Sequence, residues 1–122
     1  MSEKENEWDI CDRTRAFALR IIRLYAALPK STEAQVVGKQ ILRSGTSPGA
    51  HVREGKRSRS DAEMISKLQV ALQELEETAY WLELLVKGEI VKEDLLSDLQ
   101  EENEELISIL ITSVQTIKKR RK

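Results

Sequence analysis

The sequence contains little that would interrupt or cross-link a fold: one cysteine, two prolines and five glycines in 122 residues. The lone Cys11 cannot form a disulfide within the chain, so nothing indicates an oxidising compartment. No apolar run approaches the ~20 residues that span a bilayer. The polar, acidic N-terminus is also unlike a signal peptide. We therefore expect a cytoplasmic protein that makes no use of a membrane.

Aromatic side chains are equally scarce, and neither sign of charge is in large excess. Aromatic residues make up 4% of the chain, so a core built from its 40% hydrophobic residues must be aliphatic. Twenty basic residues against 21 acidic ones give a net charge of −1, which suits a helical protein with ion-paired surfaces. The pI of about 5.9 argues against a protein that coats nucleic acid, for which ~9 or above is usual. A local cluster of charge can still override that average.

Four segments show the three-and-four spacing of apolar residues that is typical of an amphipathic helix. The first covers residues 10–28, with Asp9 positioned to cap its start and Pro29 to end it. The second begins at Thr32, which has capping-box spacing to Gln35. These signals place two helices close together in the first half of the chain.

The second half of the chain has the same organisation. Ser60 and Glu63 form a capping box, and an unbroken apolar stripe follows from Ile65 to Val86. Gly88 stands where a left-handed C-cap is expected. The fourth segment covers residues 92–119. Two long helices are therefore predicted here as well.

The middle of the second segment, residues 44–50, reads SGTSPGA and is unusual for a helix. Pro48 removes a backbone donor and crowds the carbonyl of Ser44. We predict one helix that is kinked near Pro48 and continues to about Gly55, in preference to two separate helices.

These features predict an all-α fold. Four amphipathic helices of ~20–28 residues with short connections favour an antiparallel up-down-up-down four-helix bundle. We place the bundle domain at residues 9–119, between a disordered N-terminal tail of residues 1–8 and a basic tail of residues 120–122.

Two stretches of the sequence resemble a known bacterial family. Residues 42–54, LRSGTSPGAHVRE, resemble the signature of the four helix bundle proteins, also called proteins of the 23S rRNA intervening sequence. Residues 73–85, QELEETAYWLELL, are similar to the third-helix motif of that family, and residues 57–64 between them also fit. The resemblance spans residues 8–110, although we expect Ile and Asn in the family where this chain has Pro48 and His51.

The resemblance implies a cytoplasmic bundle that assembles with itself, as a homopentameric ring. Some members of the family are encoded inside insertions in 23S rRNA genes. Related accessory proteins of diversity-generating retroelements bind a reverse transcriptase and nucleic acid. The family has no established activity or cofactor, so the resemblance supplies no catalytic residues. It implies that the partner is a further copy of the chain, or else RNA, DNA or a nucleic-acid enzyme.

Basic residues concentrate in and just after the second segment, where they share a helical face. Six are candidate contacts for nucleic acid or another partner: Lys39, Arg43, Arg53, Lys56, Arg57 and Arg59. Guanidinium groups placed in this way suit bidentate phosphate contacts. The alternative is an ion-paired face that meets the acidic fourth helix of the same or a neighbouring chain.

The second half of the fourth segment has more apolar residues than one helical stripe requires. Tyr80 and Trp81 add to the surplus, because neighbouring helical residues point ~100° apart and cannot both face the core. Five residues are therefore a candidate oligomer interface: Tyr80, Trp81, Ile107, Ile111 and Val114. We expect from this that the protein is not a monomer.

Patterns typical of an active site are incomplete. Residues 49–56 imitate a phosphate loop but have five intervening residues instead of four, and Arg57 replaces the Ser or Thr that holds magnesium. The single histidine, His51, cannot supply the two Glu-x-x-His motifs of a di-metal bundle. We expect no catalytic, cofactor-binding or metal-binding residues. The sequence indicates a non-enzymatic homo-oligomeric scaffold or interaction protein, and the alternative is a nucleic-acid-binding accessory protein that uses the residue 53–59 cluster.

Overall fold

A computed structural model describes residues 3–120, which form four α-helices and no strand. Their bounds are α1 (Glu3–Ala27), α2 (Thr32–Lys56), α3 (Asp61–Lys87) and α4 (Glu93–Arg120). Contacts join α1 to α2, α2 to α3, α3 to α4 and α1 to α4, and within the described residues no contacts join diagonal pairs. Each helix therefore occupies one corner of a square. This arrangement confirms the predicted antiparallel up-down-up-down bundle.

The first helix begins earlier than the apolar pattern indicated. It starts at Glu3, so residues 3–8, predicted to belong to a disordered tail, are helical and Asp9 lies inside the helix. The sequence there is rich in glutamate, and negative charge is favourable near the positive N-terminal end of a helix. At the other end of the chain α4 reaches Arg120. Residues 1, 2, 121 and 122 lie outside the described residues.

The start of α2 differs from the prediction by one residue. Ser31, and not Thr32, is the N-cap, and its hydroxyl accepts a backbone N–H of the first turn at 3.4 Å. Gln35 has a different role from the one predicted. Its Oε1 accepts the Tyr25 hydroxyl at 2.8 Å, and its Nε2 donates to the Pro29 carbonyl at 2.9 Å. The side chain therefore holds the α1–α2 connection.

Helix α2 continues through Pro48 without interruption, which confirms one helix in preference to two. Nearby hydroxyl groups donate to carbonyls one turn back: Thr46 to Leu42, and Ser47 to Arg43, both at 2.6 Å. Such back-bonding competes with the helical hydrogen bonds and bends helices. The kink itself stays a prediction.

Two glycines of α2 allow it to pack closely on α1. A Cβ on Gly45 would lie 2.7 Å from Ile21 Cγ1, and one on Gly38 would lie 2.6 Å from Leu28 Cδ1. Because Ile21 and Leu28 are buried, neither has room to move aside. The α1–α2 contact therefore requires small residues at these positions.

The N-terminus of α3 is capped as predicted. Ser60 Oγ accepts the backbone N–H of Glu63 at 3.1 Å, and Glu63 Oε2 accepts the backbone N–H of Arg59 at 3.2 Å. Each residue of the capping box thereby satisfies one donor near the helix end.

The C-terminus of α3 differs from the prediction, because the expected left-handed conformation at Gly88 is wrong. Gly88 has φ −80°, and the left-handed residue is Glu89 with φ 59°. The Ile90 N–H donates to the Leu85 carbonyl at 2.9 Å, as in a Schellman motif whose C′ residue is Glu89. Glycine suits position 88 for a steric reason, since a Cβ there would lie 2.8 Å from the Leu84 carbonyl oxygen.

The core of the bundle is aliphatic, with Phe17 as its one fully buried aromatic side chain among the described residues. Buried polar groups connect the helices inside this core. The hydroxyls of Ser44 in α2 and Thr78 in α3 lie 2.7 Å apart, and Asn103 Nδ2 in α4 donates to the Leu75 carbonyl at 2.9 Å. All three polar side chains are fully buried, so they fix how α2, α3 and α4 align.

Candidate interaction surfaces

The predicted basic residues of α2 form a row along its outer surface. Lys39, Arg43, Arg53 and Arg57 are exposed and recur near whole numbers of helical turns over ~27 Å. Arg43 is an ion-pair partner of Glu77 in α3. Among the side chains of residues 10–120, those of the other three make no ion pair. The four residues therefore do lie along one exposed surface, and the charges of three of them are available to another molecule.

The end of the row opens on a polar cleft at one end of the bundle. Lys56 and Arg59 line this cleft of about 290 Å³ together with Arg120 from α4. Asp61, at the start of α3, also lines it and pairs with Arg120 at 3.0 Å. The structure therefore brings Lys56 and Arg59 to one place. It leaves Arg53, Arg57 and the more distant Lys39 on the open helix surface.

The five residues predicted for an oligomer interface do not form one surface. Tyr80 and Ile111 are exposed, by 54% and 39%. Trp81 packs partly buried against the core, and its ring stands edge-on to Tyr80 with centroids 5.1 Å apart. Its Nε1 is buried with no hydrogen-bond partner among the described residues.

Ile107 and Val114 require a correction, because only 8% and 7% of their surfaces are exposed within one subunit. Helix α4 lies between α1 and α3, and both neighbours cover apolar side chains on it. The wide apolar arc of α4 is therefore used inside the bundle. Of the apolar residues of α4 that suggested an interface, only Ile111 is exposed.

Charge is divided between the two halves of the chain, a feature that the whole-chain total conceals. Residues 10–59 carry eleven Lys or Arg and three Asp or Glu, whereas residues 60–120 carry six and 14. Their formal charges are +8 and −8, while residues 3–9 at the start of α1 carry −3 and residues 121 and 122 carry +2. Because the α1–α2 edge of the square lies opposite the α3–α4 edge, the two charges face in opposite directions.

The α1–α2 edge combines this positive charge with exposed apolar residues. Leu19 and Ile22 are 45% and 47% exposed and follow Arg15 at spacings of four and three, so they share its side of α1. We define the basic face by five exposed residues of this edge: Arg15, Leu19, Ile22, Lys39 and Arg53.

The α3–α4 edge repeats this composition with the opposite sign. Glu76, Tyr80 and Glu83 follow one another at spacings of four and three on α3, so they lie on one side of the helix. We define the acidic face by six exposed residues of this edge: Glu76, Tyr80, Glu83, Glu101, Glu104 and Ile111. The sequence did not reveal Leu19 and Ile22 as candidate interface residues, and it did not show that the acidic residues of α3 and α4 form one surface. Counting the charge of each half separately would have shown the division.

The remaining reactive side chains have structural positions. His51 Nδ1 lies 3.0 Å from Glu54 Oε1, and His51 Nε2 lies 2.8 Å from Glu74 Oε1, so the ring connects α2 to α3. Cys11 is buried. Across the described part of the chain, no group of three or more His, Cys, Asp or Glu side chains is placed to hold a metal ion. None of the described helices is long and apolar enough to cross a membrane.

The fold and its surfaces define a small antiparallel four-helix-bundle protein with two oppositely charged faces. Residues 6–112 match the family model described as 23S rRNA-intervening sequence protein, and the chain belongs to that family. This finding confirms the resemblance seen in the sequence.

One solved structure shows how far the similarity extends. It is the crystal structure of a protein of unknown function from the S23 ribosomal protein family of Bacteroides thetaiotaomicron. The two chains are 38% identical, with a TM-score of 0.85 over 90% of this chain and 98% of that chain. Among proteins with curated descriptions, none matches.

Proposed function

We propose that this protein is a non-enzymatic scaffold that assembles with copies of itself in the cytoplasm. The observation that supports self-assembly is the pattern of exposed apolar residues. Leu19 and Ile22 stand on one edge of the bundle, and Tyr80 and Ile111 stand on the opposite edge. Single exposed apolar residues are ordinary, but Leu19 and Ile22 lie one turn apart on α1, and Tyr80 and Ile111 stand on neighbouring helices, each within charged surroundings of the kind that interfaces have.

The assembly state that we propose is a pentamer, on the strength of the family resemblance alone. A bundle with binding surfaces on two opposite edges can contact one neighbour on each side. Closed rings need two such contacts per subunit. A scaffold of this kind would present every other surface of the bundle in several copies.

Light scattering coupled to size exclusion tests this proposal, since the monomer mass is 14.0 kDa. We expect a species of several subunits at micromolar concentration. The double variant Tyr80→Lys/Ile111→Lys should lower that mass while the far-UV circular dichroism spectrum stays helical. Leu95→Lys is the matched control, because Leu95 is 72% exposed and lies outside both faces. A wild-type protein that runs as a monomer would overturn the proposal.

A second function, nucleic-acid binding, is favoured by one specific observation. Within residues 10–120 the side chains of Arg53, Lys56, Arg57 and Arg59 make no ion pair, and two of them line the same cleft. Cations that lack protein partners are available for phosphate groups. A protein that uses them in this way would be an accessory protein for RNA, DNA or an enzyme that acts on them.

Changing Lys56, Arg57 and Arg59 to Gln, with Arg53 left in place, should abolish binding of a fluorescent single-stranded RNA while the assembled mass stays constant. The wild-type affinity should also fall steeply with salt, because phosphate contacts release counterions. The matched control replaces Lys30, Lys87 and Lys92 with Gln, which removes the same charge at the other end of the bundle. If the first variant dissociates into monomers, the cluster is part of the assembly and this second function fails.

A further inference from the structure

We infer that the copies associate through unlike faces, with the basic face of one subunit against the acidic face of the next. This inference rests on the proposed self-assembly and specifies its geometry. It assigns an interface role to Lys39 and Arg53 on one side and to Glu83 and Glu101 on the other. The partner that fits each face is a second copy of this chain.

The distribution of ion pairs within the subunit is the first argument. Pairs between the two halves occur at the α2–α3 edge, where Glu54 of α2 meets Lys67 at 3.8 Å, and at the α1–α4 edge, where Arg13 meets Glu102 at 2.7 Å. Beyond the acidic first turns of α1, the α1–α2 edge brings together two helices on which basic residues predominate, and the α3–α4 edge brings together two acidic helices. Their charged side chains therefore find few partners inside the subunit.

The unpaired residues make this argument specific. Within residues 10–120, no ion pair involves the side chain of Lys39 or Arg53 on the basic face, or of Glu83 or Glu101 on the acidic face. All four side chains are exposed. A second subunit placed face to face would supply each with a group of opposite charge. Exposed Leu19 and Ile22 would then meet the edge that carries Tyr80 and Ile111, which gives the contact an apolar component as well.

The same charges argue against a symmetric dimer. An isologous contact places a surface patch against its own copy, which would bring the exposed cations of the basic face against each other, or likewise the exposed carboxylates of the acidic face. Like charges that face each other in an interface weaken binding and slow association. A heterologous contact avoids this repulsion and leaves one unused face at each end of a pair. Such an assembly continues until it closes into a ring or grows as a filament.

Paired charge reversals test the inference. The first variant, Lys39→Glu/Arg53→Glu, reverses charges on the basic face. The second variant, Glu83→Lys/Glu101→Lys, reverses charges on the acidic face. Each variant alone should dissociate at least ~10-fold more readily than wild type, measured as the concentration at which native mass spectrometry shows half monomer. An equimolar mixture should form mixed species, because the unchanged faces of the two variants are complementary.

The matched control is Lys30→Glu/Lys92→Glu, which changes the net charge as the first variant does but at two exposed positions between helices. It should assemble like wild type, and circular dichroism should show that every variant keeps its helices. Assembly of wild type and of both reversal variants with equal affinity would overturn the inference and leave the self-assembly proposal standing. Monomeric wild type would overturn both. Loss of single-stranded RNA binding in the first variant with intact assembly would assign the basic face to nucleic acid instead.

Discussion

The α2–α3 edge and the α1–α4 edge both join the basic half of the chain to the acidic half, but they are built differently. At the α2–α3 edge the fully buried hydroxyls of Ser44 and Thr78 lie 2.7 Å apart, and the helices contact each other extensively. At the α1–α4 edge contacts are fewest, and the ion pair of Arg13 with Glu102 spans the two helices. Buried small groups allow close approach, whereas a surface ion pair joins helices that meet less closely. We therefore expect stability to depend far more on the first edge.

The largest expected effect is at the core of α3. Leu75 is fully buried, so Leu75→Ala should lower the free energy of unfolding by about 2–5 kcal/mol, the usual cost of emptying such a site. Urea denaturation at one fixed protein concentration measures this, because the stability of an assembly depends on concentration. Leu95→Ala, at a site 72% exposed, is the control and should change stability by less than about 0.5 kcal/mol. Equal effects of the two changes would show that the stripe of α3 has been misassigned.

A smaller effect is expected at the buried hydroxyl pair. Thr78→Val keeps the shape of the side chain but leaves Ser44 Oγ without this partner, which should cost about 1–3 kcal/mol. Thr112→Val in α4 makes the same change at an exposed position and should be nearly neutral. A neutral Thr78→Val would mean that the hydroxyl pair contributes nothing to the α2–α3 contact.

The smallest effect is expected at the α1–α4 edge. Arg13 donates to both oxygens of Glu102, and Arg13→Gln should cost only about 0.5–1 kcal/mol. Arg23→Gln is the control, since Arg23 is exposed on α1 and its side chain makes no ion pair within residues 10–120. The difference between the two variants should shrink in ~1 M NaCl, where screening is strong. A cost for Arg13→Gln as large as that for Leu75→Ala would contradict the contrast between the edges.

Much of the fold could be predicted because its signals are local. The stripe from Ile65 to Val86 predicted α3, and Ser60 with Glu63 predicted its cap. Both signals depend on residues within one or two turns of each other. The left-handed residue at Glu89 could not be predicted in the same way. Because glycine is the usual residue in the left-handed position after a helix, the sequence favoured Gly88 over Glu89. Only the path of the chain into α4 distinguishes these two positions.

The candidate surfaces were predicted less completely, because exposure depends on neighbours that are distant in the sequence. Ile107 and Ile111 look alike in the sequence, since both lie outside the main stripe of α4. In the bundle Ile107 is 8% exposed and Ile111 is 39% exposed. The difference arises from which side of α4 its neighbouring helices cover.

The sequence by itself determined the four helices, their amphipathic stripes, and the excess of basic residues in residues 10–59 and of acidic residues in residues 60–120, because these properties follow from short-range periodicity and composition. Only the tertiary structure decided which of these charges are paired and which face outwards. Placing α1 beside α2 and α3 beside α4 groups like charges on two opposite edges, while unlike charges meet and pair at the other two. That grouping depends on the order of the helices around the square. In the order α1–α3–α2–α4, each helix of the basic half would lie between two helices of the acidic half.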